Sequence, residues 1–292
     1  MNMTFIINGI ILILEILKWL ILARVLLSWL PMAGMRVPAY HPAVQWLYRL
    51  TDPLLRPLRP FSRMGMLDLS PLIAWFILGF LQQILRGRSI AQTIAFAVVL
   101  VIAFSVHEFS HAWVACRLGD PTAKNAGRLT LDPRKHLDVL GSIMVLAAGF
   151  GWAKPVPVNP YNLRNGPKAG MAMVAAAGPL SNLAMAALIA IPVRLGLLPV
   201  SNISGYLLPS PGELVFTFIV LNVVLLFFNL LPIAPLDGFR VVAGLLPYPT
   251  SQTFQRLEPL GPLILLILIF FGGPVFSGLI FGPTRLVVNL LI

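Results

Sequence analysis

Two histidines and a glutamate occur together in a segment with the composition of a membrane helix. The sequence HEFSH, residues 107–111, follows residues 93–106, which carry no charged side chain. An ionisable residue at the middle of a bilayer costs roughly 2.5–3.5 kcal/mol on insertion scales, so three such residues near one end of a span require an explanation. The i, i+4 spacing places His107 and His111 on one helix face, where both can bind one zinc ion. Glu108 lies beside them and can accept a proton from a water molecule at that site.

A chance occurrence of the H-E-x-x-H pattern is the alternative interpretation. Short motifs recur by chance in helices, and the polar side chains would then cap the helix or face a helix bundle. The apolar surroundings favour a metal site, because ionisable residues within a membrane segment are rare and mark function.

The amino-acid composition is that of a membrane protein with several helical spans. The chain has 292 residues, of which 58% are hydrophobic and 11% are charged, and its mean hydropathy is +0.88. A soluble domain carries about 25% charged residues. Basic cytoplasmic loops and anionic lipid headgroups explain the net charge of +11 better than nucleic-acid binding does. The single cysteine, Cys116, excludes a disulfide within the chain.

We predict an all-α polytopic membrane protein with about six spanning helices, a small membrane-associated β element and a re-entrant segment. Long apolar runs indicate the spans, at residues 5–30, 67–85, 89–115, 168–195 and 214–231, with one or two further segments at 259–272 and 275–292. Segment 137–150 is apolar but has only about 14 residues, which suits a re-entrant segment better than a full span.

The β element is predicted from two short segments. Residues 127–131 have a strand-like sequence, and Pro155 and Pro157 place both missing N–H groups on the same edge of any strand that contains them. The N–H groups of Val156 and Val158 remain available on the other edge. That edge can bind an unwound substrate by strand addition, or it can pair with 127–131, and the sequence leaves both interpretations open.

The first 85 residues resemble the YggT family of small integral membrane proteins. The matching sequences are LARVLLSWLP (22–31), LYRLTDPLLRPLRPF (47–61) and LDLSPLIAWFILGFLQ (67–82). Within this unit, residues 41–63 combine apolar positions with arginines, a pattern typical of a segment that lies in the headgroup plane. The family has no catalytic residues to transfer to this chain.

The distribution of basic residues predicts the orientation in the membrane. Three loops are rich in Lys and Arg and are placed in the cytoplasm, namely 49–63, 117–136 and 154–168. This orientation puts the H-E-x-x-H motif at the cytoplasmic end of its helix, and it requires that 137–150 does not cross the membrane. The span 214–231 then runs in the same direction and brings Asp237 to the depth of His107 and His111.

Asp237 is the best candidate for a third ligand, since catalytic zinc sites usually have three protein ligands. Pro232 and Pro235 interrupt the preceding helix and Gly238 allows a sharp turn, so the carboxylate has a rigid setting. The alternative is that Asp237 caps a short helix at 238–246, because Asp is preferred at that position. Both roles can coexist.

Three motifs in order resemble the site-2 protease family of intramembrane zinc metalloproteases, namely HEFSH (107–111), GPLSN (178–182) and FNLLPIAPLDG (228–238). The sequences at 127–142 and 151–160 resemble its compact bacterial subgroup. The resemblance covers about residues 94–247. It implies a zinc metalloendopeptidase that hydrolyses peptide bonds in or near transmembrane segments of membrane-anchored proteins. We therefore predict a YggT-like membrane unit at 1–85 and a site-2-protease-like zinc metalloprotease domain at 86–292.

The same resemblance implies roles for individual residues. His107, His111 and Asp237 would bind Zn²⁺, and Glu108 would be the general acid and base. Asn182 would position the substrate backbone or polarise its carbonyl, and the alternative for Asn182 is an interhelical hydrogen bond.

The expected partners are the lipid bilayer and membrane-protein substrates with a transmembrane segment, without nucleic acid. We expect an integral protein of a bacterial plasma membrane with its active site toward the cytoplasm. The alternative function is a non-catalytic zinc-binding membrane protein, either a transporter or a scaffold, although such a protein needs no glutamate beside its ligands. His41 and His136 lie in polar, proline-containing sequence and are expected at the surface.

Overall fold

The structure is a computed structural model that describes residues 3–29, 40–64, 67–68, 70–87, 89–138, 141, 153–201, 203 and 207–292. The described chain is mostly helical. Its N-terminal part contains α1 (Met3–Trp29), α2 (Pro42–Leu55), α3 (Arg59–Ser62), the antiparallel two-residue strands β1 (Arg63–Met64) and β2 (Leu67–Asp68), and α4 (Ser70–Leu85). The helices that follow are α5 (Ile90–Arg117), α6 (Thr122–Asn125), α7 (Pro133–His136), α8 (Gly166–Arg194), α9 (Pro211–Asn229), α10 (Asp237–Leu245), α11 (Tyr248–Gln255), α12 (Gly261–Phe271) and α13 (Gly273–Leu291), with 3-10 turns at Pro160–Asn162 and Glu258–Leu260.

Four of the described helices are long and apolar enough to cross a membrane, namely α5, α8, α9 and α13. The chain is therefore a helical membrane protein that sits in a lipid bilayer. The prediction of about six spans is not supported. Helix α4 has only 16 residues, and α1 carries Glu15, Lys18 and Arg24 and is not among the four. Most of the predicted re-entrant segment, 137–150, lies outside the described residues.

Contacts divide the chain into two compact units, and the first extends to Thr93. In this unit the three charged residues of α1 have polar partners. Lys18 lies 3.4 Å from Glu15, as their three-residue spacing predicts. Gln82 of α4 is hydrogen-bonded to both of these residues. The buried Arg24 guanidinium donates to Asp52 of α2 at 2.7 Å. These pairs explain how α1 carries three charged residues within an otherwise apolar packing.

The second unit, Ile94–Leu137 with Ala153–Ile292, is built around α8. Helices α9 and α10 both pack against α8. The core shared by α8, α9 and α13 consists of Ala186, Ala190, Ile219, Val223 and Val288. The close approach of α10 to α8 requires a glycine, because a Cβ at Gly244 would overlap the Ala172 methyl group. This packing holds the start of α10 beside α8, where the candidate ligand Asp237 lies.

Residues 127–131 do not form the predicted strand. Gly127 adopts a left-handed backbone conformation (φ 66°), so the chain turns there instead of extending. Segment 153–159 forms no strand beyond an isolated bridge at its first residue. Pairing of 127–131 with the edge at Val156 and Val158 is therefore wrong, and substrate binding at that edge stays a prediction.

Candidate metal centre

The two histidines of the H-E-x-x-H motif face the interior of the second unit. His107 is 5% exposed and His111 is 8% exposed. Their Nε2 atoms lie 3.1 Å and 3.3 Å from Asp237 Oδ2. The structure thus brings together the three side chains that the sequence singles out as metal ligands, with their candidate ligand atoms within 4.8 Å of one another.

The loop between α9 and α10 determines the position of Asp237. Helix α10 begins at Asp237, and Leu236 is its N-cap residue. Gly238 is required next, because a Cβ there would lie 2.5 Å from the Leu231 carbonyl oxygen and closer still to that of Leu230. This close contact packs the start of α10 against the end of α9. The N-cap position thus belongs to Leu236, and the Asp237 carboxylate contacts both imidazoles.

The outer ring nitrogens of both histidines are hydrogen-bonded, which determines where their protons lie. His111 Nδ1 is 2.7 Å from the Val174 carbonyl oxygen. That oxygen can only accept, so in the neutral ring Nδ1 carries the proton and the Nε2 lone pair faces Asp237. His107 Nδ1 is 2.7 Å from the Asn182 side-chain oxygen. In the neutral His107 ring, therefore, Nδ1 also carries the proton and the Nε2 lone pair faces Asp237. Contacts of this kind orient histidine ligands in metal sites.

The three side chains have the chemistry of a site for a divalent metal ion. Two imidazoles with their protons on Nδ1 and an ionised carboxylate present only lone pairs to one another, so their close approach requires either a metal ion or an added proton on one Nε2. Protons on both Nε2 atoms would bury two cations beside one carboxylate, which is less favourable. Ligand atoms about 2.0–2.1 Å from a tetrahedral zinc ion lie roughly 3.3 Å apart, and the observed separations of 3.1 Å and 3.3 Å fit this arrangement.

Gly178 of α8 leaves space in front of both Nε2 atoms. A Cβ on this residue would lie 2.5 Å from His107 Nε2 and closer still to His111 Nε2. Glycine allows the helix backbone to approach a ligand closely because it has no side chain. The space that any other residue would fill therefore stays open at the candidate ligand atoms.

Glu108 and Asn182 differ in exposure and in bonding. Glu108 is half-buried, and within the described part of the chain its carboxylate accepts no hydrogen bond. Asn182 is fully buried, its oxygen accepts from His107, and its Nδ2 donates to Asn222 Oδ1 at 2.8 Å. This bonding favours the interhelical hydrogen bond for Asn182. Its contact with substrate stays a prediction.

Comparison with known proteins assigns both parts of the chain. Residues 3–89 match the CCB3/YggT family model. The chain is 41% identical over 175 residues to "Putative zinc metalloprotease YwhC" of Bacillus subtilis (strain 168), a match that covers 59% of this chain and 78% of that protein. It is 32% identical over 212 residues to "Putative zinc metalloprotease Rip2" of Mycobacterium tuberculosis, which covers 68% of this chain and 76% of that protein. The chain belongs to the YwhC–Rip2 family of zinc metalloproteases.

Membership of the YwhC–Rip2 family confirms the metalloprotease resemblance that the three ordered motifs indicate. The CCB3/YggT match confirms the resemblance of the N-terminal unit and extends over almost the same residues, 3–89. No solved structure matches the chain.

One histidine outside the cluster contradicts the sequence prediction. His136 is fully buried, and the expectation that it lies at the surface is wrong. Its Nε2 is 2.6 Å from the Thr130 carbonyl oxygen, and Lys154 donates its backbone N–H to the His136 carbonyl. The ring therefore joins the end of α7 to the loop between α6 and α7. His41 is exposed, as expected.

Asp120 is a buried carboxylate with a structural role in this YwhC–Rip2 family member. It accepts hydrogen bonds from Thr122, from the backbone of Asn159 and from the side chain of Asn162. Burial raises the pKa of Asp120, but these hydrogen bonds outweigh that effect and hold the pKa below its usual range. Its oxygens are thus occupied in joining the loop after α5 to the turn before α8.

Proposed function

We propose that the chain is an intramembrane zinc metalloendopeptidase of the site-2 protease type, which hydrolyses peptide bonds in or near transmembrane segments of membrane-anchored proteins. The observation that carries the proposal is that Asp237 of α10 converges with His107 and His111, which lie with Glu108 on a helix long enough to cross a membrane. The names of the relatives support zinc and peptidase chemistry. The location of the cluster on a membrane helix supports substrates that are themselves membrane-embedded.

In the proposed reaction, His107, His111 and Asp237 would hold zinc. Bound there, it would supply a Lewis acid for the peptide carbonyl and would make water easier to deprotonate. Glu108 accepts a proton from the attacking water and passes it to the leaving amide nitrogen. A transmembrane substrate must unwind first, because a helix keeps its carbonyls in i, i+4 hydrogen bonds.

A cleavage assay with single-span peptides tests this function. We expect the purified protein to cut a peptide with one transmembrane segment, to lose activity when a chelator removes zinc, and to regain it when zinc is restored. The control is a soluble peptide with the same residues around the cut site. Equal cleavage of both peptides would remove the intramembrane part of the proposal. Absence of zinc-dependent cleavage across a panel of peptides would favour a non-catalytic zinc protein.

We further propose that residues 86–292 form the protease domain and that the YggT-like unit at 1–85 takes no part in the chemistry. Every proposed site residue lies between positions 107 and 237. Deleting residues 1–85 should leave zinc content and cleavage of a generic single-span peptide largely unchanged, as metal analysis and rate measurement would show. A folded, zinc-loaded truncation without peptidase activity would mean that residues 1–85 are required for catalysis.

We propose the bacterial plasma membrane as the location, with the active site toward the cytoplasm. Asp120 joins the loop after α5 to Asn159, so both loops lie on the same side, and both are basic. Cysteines placed at the exposed positions Lys124 and Tyr161, in a Cys116→Ser background, should both react from the cytoplasmic side only. Labelling of either position from outside would reverse the orientation.

A further inference from the structure

Asn222 of α9 is joined to His107 by a buried chain of side-chain amides. His107 Nδ1 is 2.7 Å from Asn182 Oδ1, and Asn182 Nδ2 is 2.8 Å from Asn222 Oδ1. Asn222 Nδ2 is in turn 2.9 Å from the carbonyl oxygen of Phe218, one turn earlier in α9. Asn182 and Asn222 are both fully buried. The chain of hydrogen bonds therefore runs from α5 through α8 to α9 inside the protein.

The last member of the chain determines the direction of every hydrogen bond. A backbone carbonyl can only accept, so Asn222 turns its NH₂ group toward Phe218 and its oxygen toward Asn182. Asn182 then donates its NH₂ group to Asn222 and presents its oxygen to His107. An oxygen at this distance from His107 Nδ1 requires a proton on that nitrogen. In the neutral ring the lone pair is left on Nε2, which faces Asp237.

We propose that Asn222 is a positioning residue that keeps the ring proton of His107 on Nδ1 by holding the Asn182 amide in one orientation. The proposal rests on the proposed function, since the lone pair left on Nε2 is the one that would bind zinc. A side-chain amide can be turned over, and the reversed Asn182 would offer an N–H group to His107 Nδ1 and favour the tautomer with its proton on Nε2. His111 needs no such support, because the Val174 carbonyl that faces its Nδ1 cannot donate.

A purely structural role for Asn222 has different consequences. Hydrogen bonds between membrane helices contribute modestly to their association, and losing one would loosen the contact of α8 with α9. Both His107 and His111 contact α8, so a general loosening would affect the two rings alike. Loss of the hydrogen bonds from Asn222 through Asn182 to His107, here called the relay, would affect His107 alone.

Asn222→Leu tests the relay, because leucine has a similar volume and cannot accept a hydrogen bond. We expect the zinc affinity of the purified full-length protein, measured by competition with a chelator, to fall by up to about 10- to 100-fold, which is the usual effect of removing the direct partner of a metal-binding histidine. Thr284→Val is the matched control. It removes a buried side-chain hydrogen bond to the carbonyl one turn earlier in α13 and should leave the zinc affinity unchanged.

Asn182→Asp provides a second background for the same test. A carboxylate presents only acceptor oxygens to His107 in either rotation, so Asn222 no longer controls the ring proton. Asn222→Leu is therefore expected to cause no fall in zinc affinity in the Asn182→Asp protein. An equal fall in both backgrounds, or no fall in the folded single variant, would overturn the proposal.

The ring nitrogens of the histidines give a measurement that requires neither zinc nor peptidase activity. In metal-free protein, nitrogen NMR shows whether Nδ1 of each histidine ring carries a proton. We expect protons on Nδ1 of both His107 and His111 in the wild type, and a redistribution at His107 alone in Asn222→Leu. An unchanged His107, or an equal change at His111, would contradict the relay. A wild-type protein that bound no zinc would disprove the proposed function, and this measurement would still decide the relay.

Discussion

Glu108→Gln is expected to slow peptide cleavage by about 100- to 10,000-fold, the usual contribution of a general acid and base, while zinc stays bound. Glutamine keeps the shape of the side chain but cannot accept a proton from water. The Glu108 carboxylate is not one of the three groups that converge at the site, so the substitution removes no candidate ligand atom. Metal analysis and single-turnover cleavage on the same preparation measure the two quantities.

Glu258→Gln is the control for this substitution, because Glu258 is an exposed glutamate outside the cluster. It should change neither zinc content nor cleavage. Retained cleavage in Glu108→Gln would mean that another group moves the proton. Loss of zinc together with cleavage would mean that Glu108 supports the metal site rather than the proton transfer.

The three candidate ligands can be predicted from the sequence because helix geometry constrains the two histidines and membrane topology constrains Asp237. The spacing of His107 and His111 depends only on helix geometry, so the two rings share a face wherever the helix packs. Loop charge and span length place Asp237 at the same depth. In the structure its carboxylate lies 3.1 Å and 3.3 Å from the two Nε2 atoms.

Residues that act through tertiary contacts carry a weaker signal. Gly178 is recognisable as part of the GPLSN sequence, but its closeness to both imidazoles depends on how α8 crosses α5. Asn222 stands in an apolar helix, where a polar residue predicts an interhelical contact without identifying its partner. For His136 the sequence gives the wrong signal. Its polar neighbours in the sequence predict exposure, but the side chain is buried and its ring is hydrogen-bonded to the Thr130 carbonyl.

The class of the fold follows from composition, while the number of spans depends on the length of each helix and the β element depends on local backbone conformation. Long apolar runs predict the helices α5, α8, α9 and α13, each of which is long enough to cross a membrane. The run at 67–85 becomes a helix of only 16 residues, Ser70–Leu85. Strand preference is weak in short segments, and at 127–131 the left-handed Gly127 outweighs it.

Gly178→Ala is expected to remove zinc from the protein and, with it, all zinc-dependent cleavage. The added methyl group would stand 2.5 Å from His107 Nε2 and closer still to His111 Nε2, and it would fill the space in front of both candidate ligand atoms. Alanine favours a helix over glycine by roughly 0.5–1 kcal/mol, so the substitution does not weaken α8 itself. Metal analysis of the purified variant measures the effect directly.

Gly278→Ala in α13 is the matched control, since a Cβ at that position meets nothing within 4 Å. It makes the same chemical change in another membrane helix and should keep both zinc and activity. Asp237→Ala should resemble Gly178→Ala, because one removes a candidate ligand and the other blocks the space that the ligands share. Full zinc occupancy in Gly178→Ala would mean that α8 can move away from the imidazoles, and that the close approach of its backbone is not a requirement of the site.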